Sequence, residues 1–366
     1  MSTQVAGLTA AAENRAKKKV VRRAAPEQSQ QIRRLVQWSF AALNGWLGLQ
    51  FFLWVRWFER GGRGLEVSRP AGVEGWLPIA GLMNLKYLVV TGRVPAIHAA
   101  ALFLLIAFLL ISLLLKKAFC SWLCPVGTLS EALWKAGRRI FGRNLRLPHW
   151  LDVGLRGLKY VLLGFFVFVI GMMSAEGLAD FMSTPYGLVA DVKMLNFFRT
   201  IGETGIIVLA VLVAGSVVIQ NFWCCYLCPY GALMGLVSLL SPVKIRRDLE
   251  ACIDCGKCAK ACPASLPVNR LVQIRSVECA ACMACVAACP VEHGLQFSLP
   301  PRRVAERPER WTGRIVKPGA VAAILAGIFF GMVFFARATG HWQTNVPGAI
   351  YMNLIPHANE VTHPGM

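Results

Sequence analysis

The sequence predicts a membrane all-α helical bundle of about five transmembrane helices, built on a two-helix parallel repeat. A bacterial-ferredoxin-like α+β domain for two [4Fe–4S] clusters is inserted before the last helix. Three observations carry this. The 366 residues are 56% apolar and only 16% charged, with a mean hydropathy of +0.52, where soluble domains carry about a quarter charged residues. Five apolar windows approach the roughly 20 residues that a span needs. Two cysteine runs each repeat a complete iron–sulfur spacing.

Residues 1–35 read as a basic N-terminal arm, mostly disordered and cytoplasmic. No apolar run follows Lys17-Lys18-Lys19 or Arg22-Arg23 for a dozen residues, so neither reads as a secretory or twin-arginine signal. Windows at 36–56, 96–115, 158–176, 204–222 and 318–336 read as spans. The clearest, AIHAAALFLLIAFLLISLLL, contains no charge. Residues 72–91, with Pro78, Asn84 and Lys86, read as an interfacial or re-entrant piece, and 182–199 as too polar to cross. The expected division is therefore the arm at 1–35, a four-helix membrane domain at 36–240, a ferredoxin domain at 241–305, and a fifth helix with an outer tail at 306–366.

Lys and Arg total 39 against 19 Asp and Glu, a formal charge of +20. With the N-terminus inside, the inner segments hold 30 of those 39 cations and the outer segments 9. The positive-inside rule accounts for the imbalance without a nucleic-acid partner. Two spans separate the cysteines near 120 from those near 224, and none separates the latter from residues 252–289. All thirteen cysteines then face one side, which the charge count makes the cytoplasm. The expected location is the bacterial cytoplasmic (inner) membrane, as a multi-pass protein with a periplasmic C-terminal tail.

Residues 252–263 read CIDCGKCAKACP and residues 279–290 read CAACMACVAACP. Each is C-x2-C-x2-C-x3-C-P, the spacing of two-cluster bacterial ferredoxins. Three cysteines two residues apart wrap one cubane, and the fourth is carried to the neighbouring one. Cys252, Cys255, Cys258 and Cys289 are expected to hold one cluster, and Cys279, Cys282, Cys285 and Cys262 the other. Gly256 and the alanines between the ligands let backbone pack close. Disulfides do not suit a reducing compartment, and zinc sites favour separated pairs or mixed ligands.

A second pattern, C-x-x-L-C-P-x-G-x-L, occurs at 120–129 and 224–233. Each copy follows the second of two apolar windows, so the chain reads as an internal repeat. If the helix continues, the paired thiols lie one turn apart on one face, and Pro125 and Pro229 break it. Cys120, Cys124, Cys224 and Cys228 could form a joint site for a metal or a further iron–sulfur centre, two redox-active dithiols, or a packing seam of small side chains. Cys225 departs from the repeat and reads as incidental.

These motifs together resemble the membrane-bound ferredoxin-type proteins of anaerobic respiration, the NapH-type and NosR-type proteins, with copper-handling oxidase accessory proteins similar as well. The resemblance covers roughly residues 75–336. It implies electron transfer with quinol as substrate and a redox partner protein. It does not fix the terminal acceptor, and the flavin domain of the NosR type is absent ahead of the first window. A fifth window and an outer tail are further departures from the shorter NapH type.

Histidine is too scarce for paired haem ligands in the membrane, and no C-x-x-C-H, G-x-G-x-x-G or nucleotide-triphosphate loop occurs. A quinol site needs an apolar slot, a proton acceptor and a hydrogen-bond partner. Outer-side candidates are His98, Glu176, Asp180 and Asp191, with Asn44 and Gln50 able to line a slot or to bond across helices. His341, His357 and His363 read as surface residues. Trp54, Trp57, Trp223 and Tyr226 read as interface anchors. Three functions remain in play: a quinol-linked redox relay, a metal (copper) reductase serving maturation of a respiratory enzyme, and a redox-sensing regulator.

Overall fold

The computed structural model describes residues 22–23, 27–300 and 314–364. Most of the basic arm and the link at 301–313 lie outside the described residues. Helix α1 (Ser29–Glu59) is 31 residues long, so residues 29–35 belong to it and not to a disordered arm. The described end of the arm is tied to the ferredoxin region. The Arg23 amide donates to the Pro290 carbonyl at 3.0 Å, and its guanidinium to the Val286 carbonyl at 3.1 Å.

Past α1 the chain turns back beside it. The Gln50 amide donates to the Ser68 carbonyl at 2.9 Å. The Trp76 indole donates to Asn44 at 3.1 Å, six residues nearer the start of α1. A 3-10 turn (Ala71–Trp76) ends this descent, and α2 (Pro78–Thr91) climbs back. Fourteen residues of helix reach about 21 Å, short of a hydrocarbon core of about 30 Å. Helix α2 lies against α3 (Ala99–Leu115). A Cβ at Gly81 would sit 3.0 Å from the Ala101 carbonyl, so glycine permits the close approach. The Asn84 amide donates to the carbonyls of Ile97 and His98.

Helix α3 is the centre of the bundle, buried on almost every face. Helices α4 (Pro125–Phe141) and α5 (His149–Met172) follow, then three short helices between residues 175 and 199. Helices α6 (Glu203–Val218) and α7 (Pro229–Val237) complete the second repeat, and α8 (Pro318–Ala338) packs against α3 and α1. Lys86, a polar interruption in the sequence, caps α5: its ammonium donates to the carbonyls of Ile170 and Gly171 at 2.9 and 2.8 Å, and to that of Met173.

Among the described residues, Trp150–Met172 and Pro318–Ala338 are long and apolar enough to cross a membrane. A third candidate is the pair Ala190–Arg199 and Glu203–Val218, bent by 83°. The window at 158–176 thus starts earlier than expected, and part of 182–199 joins the bent pair. Ala99–Leu115 is apolar but only 17 residues long. Helix α1 has the length, but Gln37, Asn44 and Gln50 interrupt its apolar run. Phe165 and Phe168 on α5 and Phe334 on α8 point outward and exposed, as lipid-facing side chains do. The protein is mostly helical and membrane-associated.

The ferredoxin region closes around strands β1 (Lys244–Arg247) and β2 (Leu295–Ser298), antiparallel with Lys244 opposite Ser298 and Arg247 opposite Leu295. Ile245, Phe297, Val268 and Ile274 form its core. It docks on the membrane half through residues 276–282. The Lys116 ammonium donates to the Ser276 carbonyl at 3.0 Å, the Trp122 indole to Ala281 at 3.1 Å, and the Gln30 amide to Cys282 at 2.9 Å. Lys159 of α5 pairs with Glu278 at 2.6 Å.

Candidate iron–sulfur centres and the adjoining cavity

The two cysteine runs exchange their fourth members. Cys252, Cys255, Cys258 and Cys289 surround a small void of about 20 Å³. Cys279, Cys282, Cys285 and Cys262 surround a void of about 80 Å³. The backbone makes the first turn of each cage alike. Gly256 takes a left-handed φ of +68° with open space where a Cβ would be, so backbone conformation, and not close packing, calls for glycine here. Met283 holds the same place in the second run at φ +56°, and its side chain is buried. Burial pushes the Cys262 thiol up to about 12, with Cys282 and Cys279 adding to it. Sulfurs gathered at such a cost suit a metal group that binds them as thiolates. Arg247 lies 3.5 Å from the Cys252 sulfur and pairs with Asp254 at 3.1 Å.

The membrane repeat is not one continuous helix in either copy. In the first, α3 stops at Leu115, Lys116 takes a φ of +60°, and a separate turn, Ala118–Trp122, carries Cys120. In the second, a π-helical turn, Trp223–Leu227, carries Cys224 and Cys225. Cys124 and Cys228 are the N-caps of α4 and α7, with Pro125 and Pro229 at the first helical position. The prolines therefore start helices, where their missing N–H costs nothing. The Cys228 sulfur accepts the Gly231 amide at 3.2 Å, and a Cβ on Gly127 would collide with the Cys120 carbonyl at 2.2 Å. C-P-x-G is thus a helix start in both copies, with a sulfur cap seen in the second and a glycine forced by close backbone in the first.

Cys120, Cys124, Cys224 and Cys228 all line one elongated cavity of about 530 Å³. Cys120 and Cys224 also line the void inside Cys262, Cys279, Cys282 and Cys285, so these two residues separate cage from cavity. Lys117, buried, lines both. Sequence reasoning missed Lys117, although a lysine pair directly after a charge-free span, its second member three residues before a motif cysteine, was a usable signal. It also missed Tyr230, which lines the cavity and stands edge-on to the stacked pair Phe108 and Phe119, 6.2 Å from each. Cys225 is buried and lines only the void on the cage side.

The outer-side candidates divide. His98 and Asp191 are buried in one network with Arg69 and Glu74, two residues the sequence did not single out. Arg69 bonds Glu74 at 2.8 Å and Asp191 at 2.6 Å. The His98 ring faces Glu74 through Nδ1 at 3.3 Å and the Gly187 carbonyl through Nε2 at 2.9 Å. Thr344 donates to Glu74 at 2.8 Å, adding the C-terminal tail. Glu176 and Asp180 are exposed elsewhere. Asn44 and Gln50 line the cavity. His341, His357 and His363 do not converge: His357 faces Glu360 at 3.3 Å and His363 packs on Phe181 and Tyr186. Trp54 and Tyr226 are buried and not interface anchors. Trp54 packs edge-on against Phe58 and Tyr351, and the Tyr226 hydroxyl donates to Asp152 at 2.6 Å.

Comparison with known proteins meets this geometry at both places. A family model described as a 4Fe-4S binding domain matches residues 97–144 and again 201–248, the two halves of the membrane repeat. A 4Fe-4S dicluster domain matches residues 244–290. The chain is 51% identical to the protein YccM of Escherichia coli (strain K12), named for electron transport, over 90% of this chain and 91% of that one. The chain belongs to the NapH-like family of 4Fe-4S ferredoxin-type proteins. The ferredoxin-type protein NapH of the same organism is 28% identical over 57% of this chain and 70% of its own length. The methylamine utilization ferredoxin-type protein MauN of Methylorubrum extorquens is 29% identical over 52% of this chain and 62% of its own. No solved structure matches. This NapH-like chain thus carries a 4Fe-4S match in the membrane repeat as well as in the ferredoxin region.

Proposed function

We propose that this NapH-like protein is a membrane electron relay between the quinol pool and a redox partner protein, with three [4Fe–4S] centres. Cys252, Cys255, Cys258 and Cys289 would hold one, Cys279, Cys282, Cys285 and Cys262 a second, and Cys120, Cys124, Cys224 and Cys228 a third. Bound there, each cluster supplies a one-electron couple whose potential is set by its surroundings. The observation that carries the reading is the shared wall: Cys120 and Cys224 face the second cage on one side and the large apolar cavity on the other. The chain's own contribution is to hold the thiols in sequence, to keep water from the inner ones, and to place Lys117 as a buried positive charge among them.

The repeat match to a 4Fe-4S binding domain supports the third centre. That match favours a relay over a copper reductase. We place the ferredoxin region on the cytoplasmic side of a five-span inner-membrane protein, as the charge distribution directs, with domain limits near residues 29, 241 and 306.

Anaerobic purification with iron, sulfide and EPR measurement tests this. About twelve irons per chain are expected, falling to about eight in Cys120→Ser/Cys224→Ser. About eight in the unaltered protein would remove the third centre. Adding reduced quinol should change the cluster spectra, and a protein indifferent to every quinol would not be a quinol relay. Single cysteines introduced as Lys260→Cys and Glu360→Cys should label from opposite sides of intact cells.

A further inference from the structure

The polar groups along the 530 Å³ cavity are unevenly served. One wall is α1, which presents Phe40, Leu43, Asn44, Leu47 and Gln50. Ten residues of helix make that wall about 15 Å long. At the end away from the cysteines Asn44, Gln50 and Arg69 are already bonded to protein. Gln50 donates to Ser68, Asn44 accepts from Trp76, and the three nitrogens of Arg69 donate to Glu74 and Asp191. Arg337 and Gln343 stand on the exposed rim.

At the cysteine end the situation is reversed. Lys117 is buried, its charge faces Cys120, Glu278, Cys225 and Cys224, and among the described residues its ammonium donates no hydrogen bond. The Tyr230 hydroxyl, held by Phe108 and Phe119, has none either. Both line the cavity. An ammonium and a hydroxyl that open on the cavity and donate to no protein acceptor leave this end able to receive an oxygen that is not part of the chain. Between the two ends the walls are aromatic and aliphatic, including Leu47, Phe329 and Phe330. A slot with an apolar body and two convergent donors at one end suits a ring with oxygen substituents and a hydrocarbon tail.

We propose that this cavity is the quinone-binding slot, with the ring at the cysteine end, its oxygens on the Tyr230 hydroxyl and the Lys117 ammonium, and its isoprenoid tail along Leu47, Phe329 and Phe330. The assignment rests on the quinol reading above and adds the place and orientation. It puts the ring beside Cys124 and Cys228, as electron exchange with that site requires. It makes the Arg69–Glu74–His98–Asp191 network a closure of the far end and not a ligand contact.

Binding of 2-heptyl-4-hydroxyquinoline N-oxide, a fluorescent quinol mimic, to the full-length anaerobic protein in detergent tests this without turnover. Tyr230→Phe and Lys117→Met should each weaken binding by about tenfold, the order of one lost hydrogen bond to a ligand. Leu47→Trp, which fills the slot, should abolish it. Cluster EPR signals at unaltered intensity show that each variant is folded. If the unaltered protein binds and all three variants match it, the slot is elsewhere while the quinol reading stands. If only Leu47→Trp loses binding, the slot holds and the ring orientation is overturned. If neither this probe nor any quinone binds the unaltered protein, the quinol reading fails and the slot assignment with it.

Discussion

Cys255, on one cage of the ferredoxin region, is exposed to solvent, and the void behind it is about 20 Å³. In the other cage no cysteine is exposed, and its void of about 80 Å³ opens onto Cys120 and Cys224 of the membrane repeat. The same twelve-residue pattern builds both. What differs is the neighbour: the first cage meets Arg247 and the arm residue Arg23, while the second is clamped by Gln30, Trp122 and Lys159 through residues 276–282. A ferredoxin motif sets ligand geometry, and docking decides which cage faces a partner in water and which faces the membrane. Under the relay proposed above, the cage that carries the exposed Cys255 would be the one to meet a soluble partner.

Removing one ligand from each cage gives the largest effect. Cys285→Ser and Cys255→Ser should each cost about four irons per chain. Only Cys285→Ser should also loosen the ferredoxin region from the membrane half, read as new protease cleavage near residues 276–282. Equal protease sensitivity in the two variants would erase the proposed difference between the cages.

The clamp itself is the next test. Lys159→Met leaves Glu278 buried without its partner, and stability should fall by about 3–5 kcal/mol in denaturant titration. Lys159→Met combined with Glu278→Leu should recover most of that, because neither charge is then left alone. A loss confined to signals from the inner cage would sharpen the comparison further.

A smaller, pH-dependent effect is expected at Arg33 and Glu131, which fasten α4 to α1 beside the inner cage. Burial opposes ionisation of Glu131, but hydrogen bonds and charge from Arg33 outweigh it and hold the carboxyl at about 2. The folded value lies below that of an unfolded glutamate, so the contribution is complete above about pH 4.5 and is lost as pH falls toward 2. Glu131→Gln should cost about 1–3 kcal/mol at neutral pH and flatten the acid limb of the stability profile. An unchanged acid limb would place the titrating group elsewhere.

The smallest effect is kinetic. Ferricyanide, which reaches exposed clusters first, should bleach the signal belonging to Cys252, Cys255, Cys258 and Cys289 several-fold faster than the other. The contrast should narrow in Lys159→Met.

The spacing of the eight ferredoxin cysteines was legible because it is local and repeated, and the two voids are lined by Cys252, Cys255, Cys258 and Cys289 and by Cys279, Cys282, Cys285 and Cys262. The two C-x-x-L-C-P-x-G-x-L copies were legible too, but their geometry was not. Continuity of helix through Cys120 and Cys124 was a reasonable expectation from periodicity. It failed because Lys116 leaves the helical region, a choice made by Ser241, whose hydroxyl accepts the Lys116 amide at 3.0 Å from 125 residues away. Lys86, read as a mark against a span, turned out to cap the end of α5, a role visible only once α2 and α5 are neighbours.

Linear order by itself determined the chemistry: which side chains are sulfur, how many residues separate them, and how much apolar chain surrounds them. Folding decided adjacency. That Glu74 meets His98, that Lys117 and Tyr230 share one cavity wall, and that Cys120 stands between a cage and a slot all depend on segments dozens to hundreds of residues apart. Hydrophobic burial, which drives that packing, is non-directional. Composition therefore forecast that apolar segments would come together but not which polar groups would meet among them.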